Sequence, residues 1–183
     1  KIFNLREIPM ETIIIYSSTD GHTKIICEKI KSNFGNVNDI ALVSLRESTN
    51  LDLSKFNHII IGASIRYGKH SNDLYRFIKF NKKTLEQKKT AFFSVNVVAR
   101  KSEKNNPETN PYLKKFLKIS NWKPDKVAVF AGKVDYPNYN FFDKYIIKLI
   151  MFITKGPTDT SQSYEFTDWS KVDSFARDIR SNL

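Results

Sequence analysis

An α/β fold built on a parallel sheet covered on both faces is what this sequence predicts, and three observations carry the prediction. The apolar runs Ile13-Ile14-Ile15 and Ile59-Ile60-Ile61 are continuous and do not alternate with polar residues, as strands buried on both faces require. Such runs alternate along the chain with stretches whose apolar residues recur at helical spacing. The chain has 183 residues, 40% hydrophobic and 27% charged, enough for one folded domain with a substantial core and unlike a disordered polymer.

Taken in order, Thr12 to Tyr16 reads as the first strand, ending in a turn of small hydroxyl residues and one glycine, Ser17-Ser18-Thr19-Asp20-Gly21. A helix follows from about Thr23, with Ile26, Ile30 and Phe34 at four-residue spacing and Gly35 as its stop. Ile40 to Val43 is the second strand, and Asn50 to Phe56 is polar enough for only a short turn or helix. His58 to Ala63 is the third strand, followed from about Ser71 by a helix with Leu74, Phe77 and Ile78 on one face. Ala91 to Val95 is the fourth. Asn110-Pro111 supplies an N-cap and a first-turn proline for a helix carrying Leu113, Phe116 and Leu117. Val127 to Gly132 is the fifth strand, and the last helix starts near Asp168 with Trp169, Val172, Ala176 and Ile179 inward. One domain over residues 10–183 is expected, with an insertion at 133–157. Lys1 to Pro9 lacks the apolar stretch of a secretory signal and is set aside as a leader or remnant.

The first turn is the most informative stretch. A strand, a hydroxyl-rich turn and a helix start together make an anion site, because unpaired N–H groups, the helix dipole and Ser/Thr donors converge there. Neither G-x-G-x-x-G nor G-x-x-x-x-G-K-[ST] is present, which argues against a dinucleotide fingerprint and a nucleotide-hydrolysing loop. Local sequence alone leaves an ordinary strand–turn–helix unit as the competing reading. Two later loops carry further signals. Ser64-Ile65-Arg66-Tyr67-Gly68-Lys69 follows a strand ending in small residues, so backbone can approach a flat ring and Tyr67 can stack on it. Ser94-Val95-Asn96-Val97-Val98-Ala99-Arg100-Lys101 sets two loop-exposed valines before a basic pair, which suits a large flat ligand with acidic substituents.

Lys and Arg total 30 against 19 Asp and Glu, a net charge of +11. That excess fits nucleic acid, an anionic membrane surface or a carboxylate-bearing substrate, and says little about fold. Cys27 is the only cysteine, beside the apolar stripe of the first helix; it reads as a buried structural thiol in a reducing compartment. His22, His58 and His70 are scattered and show no metal-ligand spacing, so no metal is expected.

The pattern Tyr16-x-Ser18-x-x-Gly21-x-Thr23 resembles the phosphate loop of the flavodoxins, departing from them at Cys27 where alanine is usual. Gly62-Ala63-Ser64-Ile65-Arg66-Tyr67-Gly68, Ser94-Val95-Asn96-x-Val98-Ala99-Arg100-Lys101 and Thr167-Asp168-Trp169 narrow the likeness. They resemble the flavodoxin-like, quinone-dependent protoporphyrinogen IX dehydrogenases of bacterial haem biosynthesis. Trp122-x-Pro124-Asp125, Tyr136-Pro137, Ile147 to Met151 and Thr158-Asp159-Thr160 extend it from Met10 to the C-terminus.

The resemblance implies a flavodoxin-like three-layer sandwich with a five-stranded parallel sheet in the order 2-1-3-4-5. It implies FMN as cofactor, protoporphyrinogen IX as substrate and menaquinone or ubiquinone as electron acceptor, with no nucleic acid and self-association left open. By the same resemblance Ser18, Thr19, Asp20, Gly21, His22 and Thr23 bind the phosphate end of the flavin. Ala63, Ser64, Ile65, Arg66, Tyr67 and Gly68 line its ring together with Ser94, Val95, Asn96, Val97 and Ala99, and Thr158, Asp159 and Thr160 complete the pocket. Arg66, Arg100 and Lys101 are the candidates for the substrate's propionates, since arginine offers a planar fork that matches a carboxylate. No residue stands out as proton acceptor.

Within the insertion, Tyr136, Tyr139, Phe141, Phe142 and Tyr145 precede an apolar run far short of the roughly 20 residues a spanning helix needs. Read as a helix, Lys144, Lys148 and Lys155 fall in one stripe and most of the remaining circumference is apolar. Such an amphipathic helix either lies in a membrane interface or packs as core or against a second subunit. A lipid-soluble acceptor favours contact of residues 136–155 with an anionic membrane, and a peripheral location on the cytoplasmic face of the cell membrane. Two other readings are a flavodoxin-type electron carrier or NAD(P)H:quinone reductase, and a basic binding module without activity.

Overall fold

The computed structural model describes residues 11–35 and 40–181. The leader assigned to Lys1–Pro9 lies outside them. Five strands, β1 (Thr12–Ser17), β2 (Ile40–Ser44), β3 (His58–Ser64), β4 (Lys89–Val95) and β5 (Lys126–Phe130), form one sheet in the order 2-1-3-4-5, all pairs parallel. Helices α1 (His22–Ser32) and α5 (Trp169–Arg180) cover one face, while α2 (Asn72–Leu85) and α3 (Pro111–Ser120) cover the other. The alternation along each strand explains both layers. Ile13, Ile15, Ile59, Ile61 and Phe92 pack with Leu74, Ile78, Leu113 and Phe116, whereas Ile14, Ile60 and Phe93 pack with Ile26, Ile30, Val172 and Ala176. Cys27 is fully buried in the second layer, and burial pushes its thiol pKa up, so it is an inert packing group.

Two local features fix how strand ends meet helices. Gly62 pairs with Phe93 across β3 and β4, and a Cβ on Gly62 would lie 2.2 Å from Phe93 Cζ, so the outer end of the ring takes the space a side chain would fill. Asn110 caps α3 by accepting from the Tyr112 and Leu113 amides, with Pro111 following as expected.

Beyond β5 the chain departs from a plain sandwich. A short antiparallel hairpin of β6 (Lys133–Asp135) and β7 (Ser163–Glu165) encloses α4 (Phe141–Ile153), so the excursion reaches past residue 157. Val134, Tyr136 and Met151 form a small separate core with Val97, Ile147 and Phe166 packed against it. Three-residue strands give too little alternation to be read from sequence.

Three expectations are corrected here. α1 stops at Ser32, where the Asn33 and Phe34 amides turn back to Ile30 and Lys31, so Phe34 lies beyond it and Gly35 in a left-handed residue after it. Lys155 is not part of the α4 stripe: Thr154 closes the helix and Lys155 takes φ 55°, leaving Lys144 and Lys148. Val98 is not exposed to a loop but 6% exposed in a 3-10 turn.

Candidate active site

The carboxyl ends of β1, β3, β4 and β5 open into one cleft, the position that this strand order creates at its switch point. Its floor is the first turn. Gly21 takes φ 82° and no side chain caps α1, so the helix starts without a protein acceptor in front of it. The hydroxyl oxygens Ser18 Oγ and Thr23 Oγ1 are buried and have no hydrogen-bond partner. A buried hydroxyl without a partner costs about 1–3 kcal/mol, so two at one helix start mark a place for an anionic acceptor.

His22, also buried, is oriented from the far side of the turn. Thr167 donates its hydroxyl to Ala131 O at 2.9 Å, which leaves its oxygen to accept from His22 Nε2–H at 2.6 Å. Burial lowers the His22 pKa. The Thr167-Asp168-Trp169 run thus earns its place in the fold twice: Thr167 fixes the tautomer of His22, and Asp168 caps α5 by accepting from Ser170 and Lys171.

The second wall is the tight turn Arg66-Tyr67-Gly68-Lys69. Arg66 and Lys69 exchange both backbone hydrogen bonds, with φ 48° at Tyr67 and 77° at Gly68. Positive φ at both central residues defines a type I′ turn, natural for Gly68 and strained for a tyrosine. Arg66 is the hub of this wall. Its Nη1 donates to Asp20 Oδ2 and its Nη2 to Asp143 Oδ2, each at 2.6 Å, and Tyr67 donates its hydroxyl to Asp143 Oδ1. The guanidinium also faces the Tyr67 and Tyr139 rings at 5.3 and 5.1 Å. Burial raises the Asp20 pKa, and the Arg66 charge opposes that rise.

Beneath the third wall runs a directional chain of buried polar groups. His70 Nδ1–H donates to Ser64 O at 3.2 Å, so Nε2 accepts from the Ser94 hydroxyl at 3.3 Å. Ser94 Oγ in turn accepts from Asn96 Nδ2 at 3.2 Å, and Asn96 Oδ1 accepts from Asn110 Nδ2 at 3.1 Å. The chain ties the β3 turn, the end of β4 and the cap of α3 into one unit. It requires a neutral imidazole, and burial pushes the His70 pKa down to about 4.

The cleft is lined by Ser18, Thr19, Asp20, His22, Thr23, Ser64, Ile65, Arg66, Tyr67, Gly68, Val95, Asn96 and Val97, all anticipated from sequence. Gly21, Ala63, Ser94 and Ala99 do not line it but lie in or under the segments that do. Arg100, Lys101, Thr158, Asp159 and Thr160 are not brought to it either. Arg100 donates to Val97 O at 2.8 Å and to Thr154 O at 2.7 Å, pinning the end of α4, and Asp159 turns back to accept from Ser161. The sequence reading missed the roof: Tyr112, Lys133, Val134 and Tyr139, with Ile147, Ile150 and Met151 of α4. Its available signal was that α4 is apolar on more of its circumference than one contact face needs.

A flavodoxin-domain family model matches residues 13–161. The chain belongs to that family. It is 41% identical over 93% of its length to protoporphyrinogen IX dehydrogenase [quinone] of Escherichia coli strain K12, covering 94% of that protein. It is 40% identical over 91% of its length to a protein of the same name from Leishmania major, covering 73% of it. Oxidised flavodoxin 1 from Bacillus cereus superposes with a TM-score of 0.54 over 94% of this chain and 98% of that one, at 16% identity, a likeness of fold alone. The resemblance drawn from the motifs therefore stands, and so does the flavodoxin-like sheet order.

Proposed function

We propose that this protein oxidises protoporphyrinogen IX to protoporphyrin IX with bound FMN and hands the electrons to a membrane quinone. One observation carries the reading: two orphaned hydroxyls and an uncapped helix start sit at one end of a cleft whose other walls can take a flat ring. The names of the relatives supply the substrate and the acceptor. FMN bound here would supply two-electron redox chemistry.

The residues of the chain do the rest. Ser18 and Thr23 hydroxyls and the amides at the start of α1 would hold the phosphate of FMN. Ile65 to Gly68 and Val95 to Val97 would flank a flavin ring, and the Ile147, Ile150 and Met151 side chains, which also line the cleft, would keep water from it. Arg66 is the residue assigned to a substrate carboxylate, because it lines the cleft, whereas Arg100 lies outside it and holds the end of α4. Six hydrogens leave the macrocycle in three two-electron steps, so each turnover reduces three quinones to quinols.

The outer face of α4 is where we place the membrane. Phe142 and Phe152 are 76% and 73% exposed, and Phe141, Tyr145, Leu149 and Ile153 are exposed with them. No helix among the described residues is long and apolar enough to cross a membrane, so contact is interfacial, aided by the net charge of +11. The test is anaerobic incubation of the flavin-loaded protein with protoporphyrinogen IX and menaquinone or ubiquinone, followed by porphyrin fluorescence. A quinone-dependent rise above the protein-free control is expected. Its absence would refute the assignment.

A further inference from the structure

We infer that Arg66 and Tyr67 form a carboxylate-binding pair, and that Asp143 occupies it as an internal stand-in for a propionate of the substrate. The inference rests on the tetrapyrrole dicarboxylate proposed above. In the structure each Asp143 oxygen has its own donor from this pair, the Tyr67 hydroxyl on Oδ1 and Arg66 Nη2 on Oδ2. That is the arrangement a planar carboxylate asks of a binding site. The pair is prepared independently of its occupant. Asp20 of the anion-binding turn holds the other Arg66 nitrogen, and Tyr67 is set at φ 48° by the backbone pairing of Arg66 with Lys69.

The occupant belongs to the roof. Asp143 is the third residue of α4, whose Ile147, Ile150 and Met151 close the cleft one and two turns further on. A ligand bearing its own carboxylate exchanges with Asp143 at no net loss of ion pairs and releases the leading end of the roof. An uncharged analogue has nothing to exchange. Asn140 anchors Asp143 twice more: its Oδ1 accepts from the Asp143 amide at 2.9 Å, a bond independent of the Asp143 charge, and its Nδ2 donates to Asp143 Oδ2 at 3.0 Å. Asp143→Asn therefore keeps the start of α4 and weakens the competitor.

An intramolecular competitor acts at an effective concentration in the millimolar range or above, so weakening it should raise apparent ligand affinity roughly five- to tenfold. The experiment titrates FMN-loaded wild type and Asp143→Asn with protoporphyrin IX and with its dimethyl ester, following porphyrin absorbance, with flavin content measured in parallel. The free acid should bind five- to tenfold more tightly to the variant, and the ester equally to both. Equal or weaker binding of the free acid by a variant with full flavin content overturns the inference and leaves the function reading intact. Flavin-loaded wild type that binds neither porphyrin defeats the substrate assignment, and the inference with it. If Asp143→Asn loses flavin, Asp143→Ser is read against the same threshold, and no gain there counts against the exchange.

Discussion

Mild acid tests the buried chain under the cleft, because its central member must stay neutral to hold the rest. His70 is 1% exposed, in T-shaped contact with the Phe92 and Phe116 rings, and burial holds its pKa at about 4. In the unfolded chain the same imidazole titrates near 6.5. Between those values the unfolded state binds more protons than the folded one, so stability is complete above about pH 6.5 and falls as pH drops toward 4. The full shift corresponds to roughly 3 kcal/mol, of which about 2 kcal/mol is lost between about pH 7.5 and pH 5. His22 and His58, also lowered by burial, add losses of the same sign. The assay is urea unfolding at both pH values for wild type and His70→Gln. With a urea slope of about 2 kcal/mol per molar, the wild-type midpoint should drop by roughly 1 M or more, and the variant by about 1 M less than wild type. Equal acid-induced losses in both proteins would show that His70 contributes nothing to the pH dependence and is not held neutral.

Gly62→Ala places a methyl group 2.2 Å from Phe93 Cζ in a fully buried layer; we expect a loss of about 1–3 kcal/mol in denaturant unfolding, and an unchanged midpoint would mean the ring has room to move. Arg100→Ala removes charged donors from Val97 O and Thr154 O, so about 2 kcal/mol of stability should be lost and amide exchange at the end of α4 should quicken, while porphyrin affinity holds. Lost affinity at unchanged stability would instead return Arg100 to the substrate.

How much of this was legible beforehand depended on the range of the interactions involved. Strands β1, β3 and β4 declared themselves because burial on both faces demands continuous apolar runs. The first turn was readable because its donors are neighbours in sequence, and the Asn110-Pro111 start because a cap is a local bond. The hairpin β6–β7 was not, since its two short strands pair across α4 and owe their geometry to the small core around Tyr136 and Met151. The sequence also suggested that Arg66, Arg100 and Lys101 would act together, as three cations near two loops.

What the sequence determined alone was therefore the layered α/β plan, the hydroxyl-rich turn before α1 and the net basic charge, each set by residue type and local spacing. Only the tertiary structure decided which cation serves which group. Arg66 meets Asp143 across 77 positions of chain, and Arg100 meets Thr154 across 54. The physical reason is that a guanidinium satisfies whichever acceptors packing brings within about 3 Å, and spacing along the chain does not encode that distance.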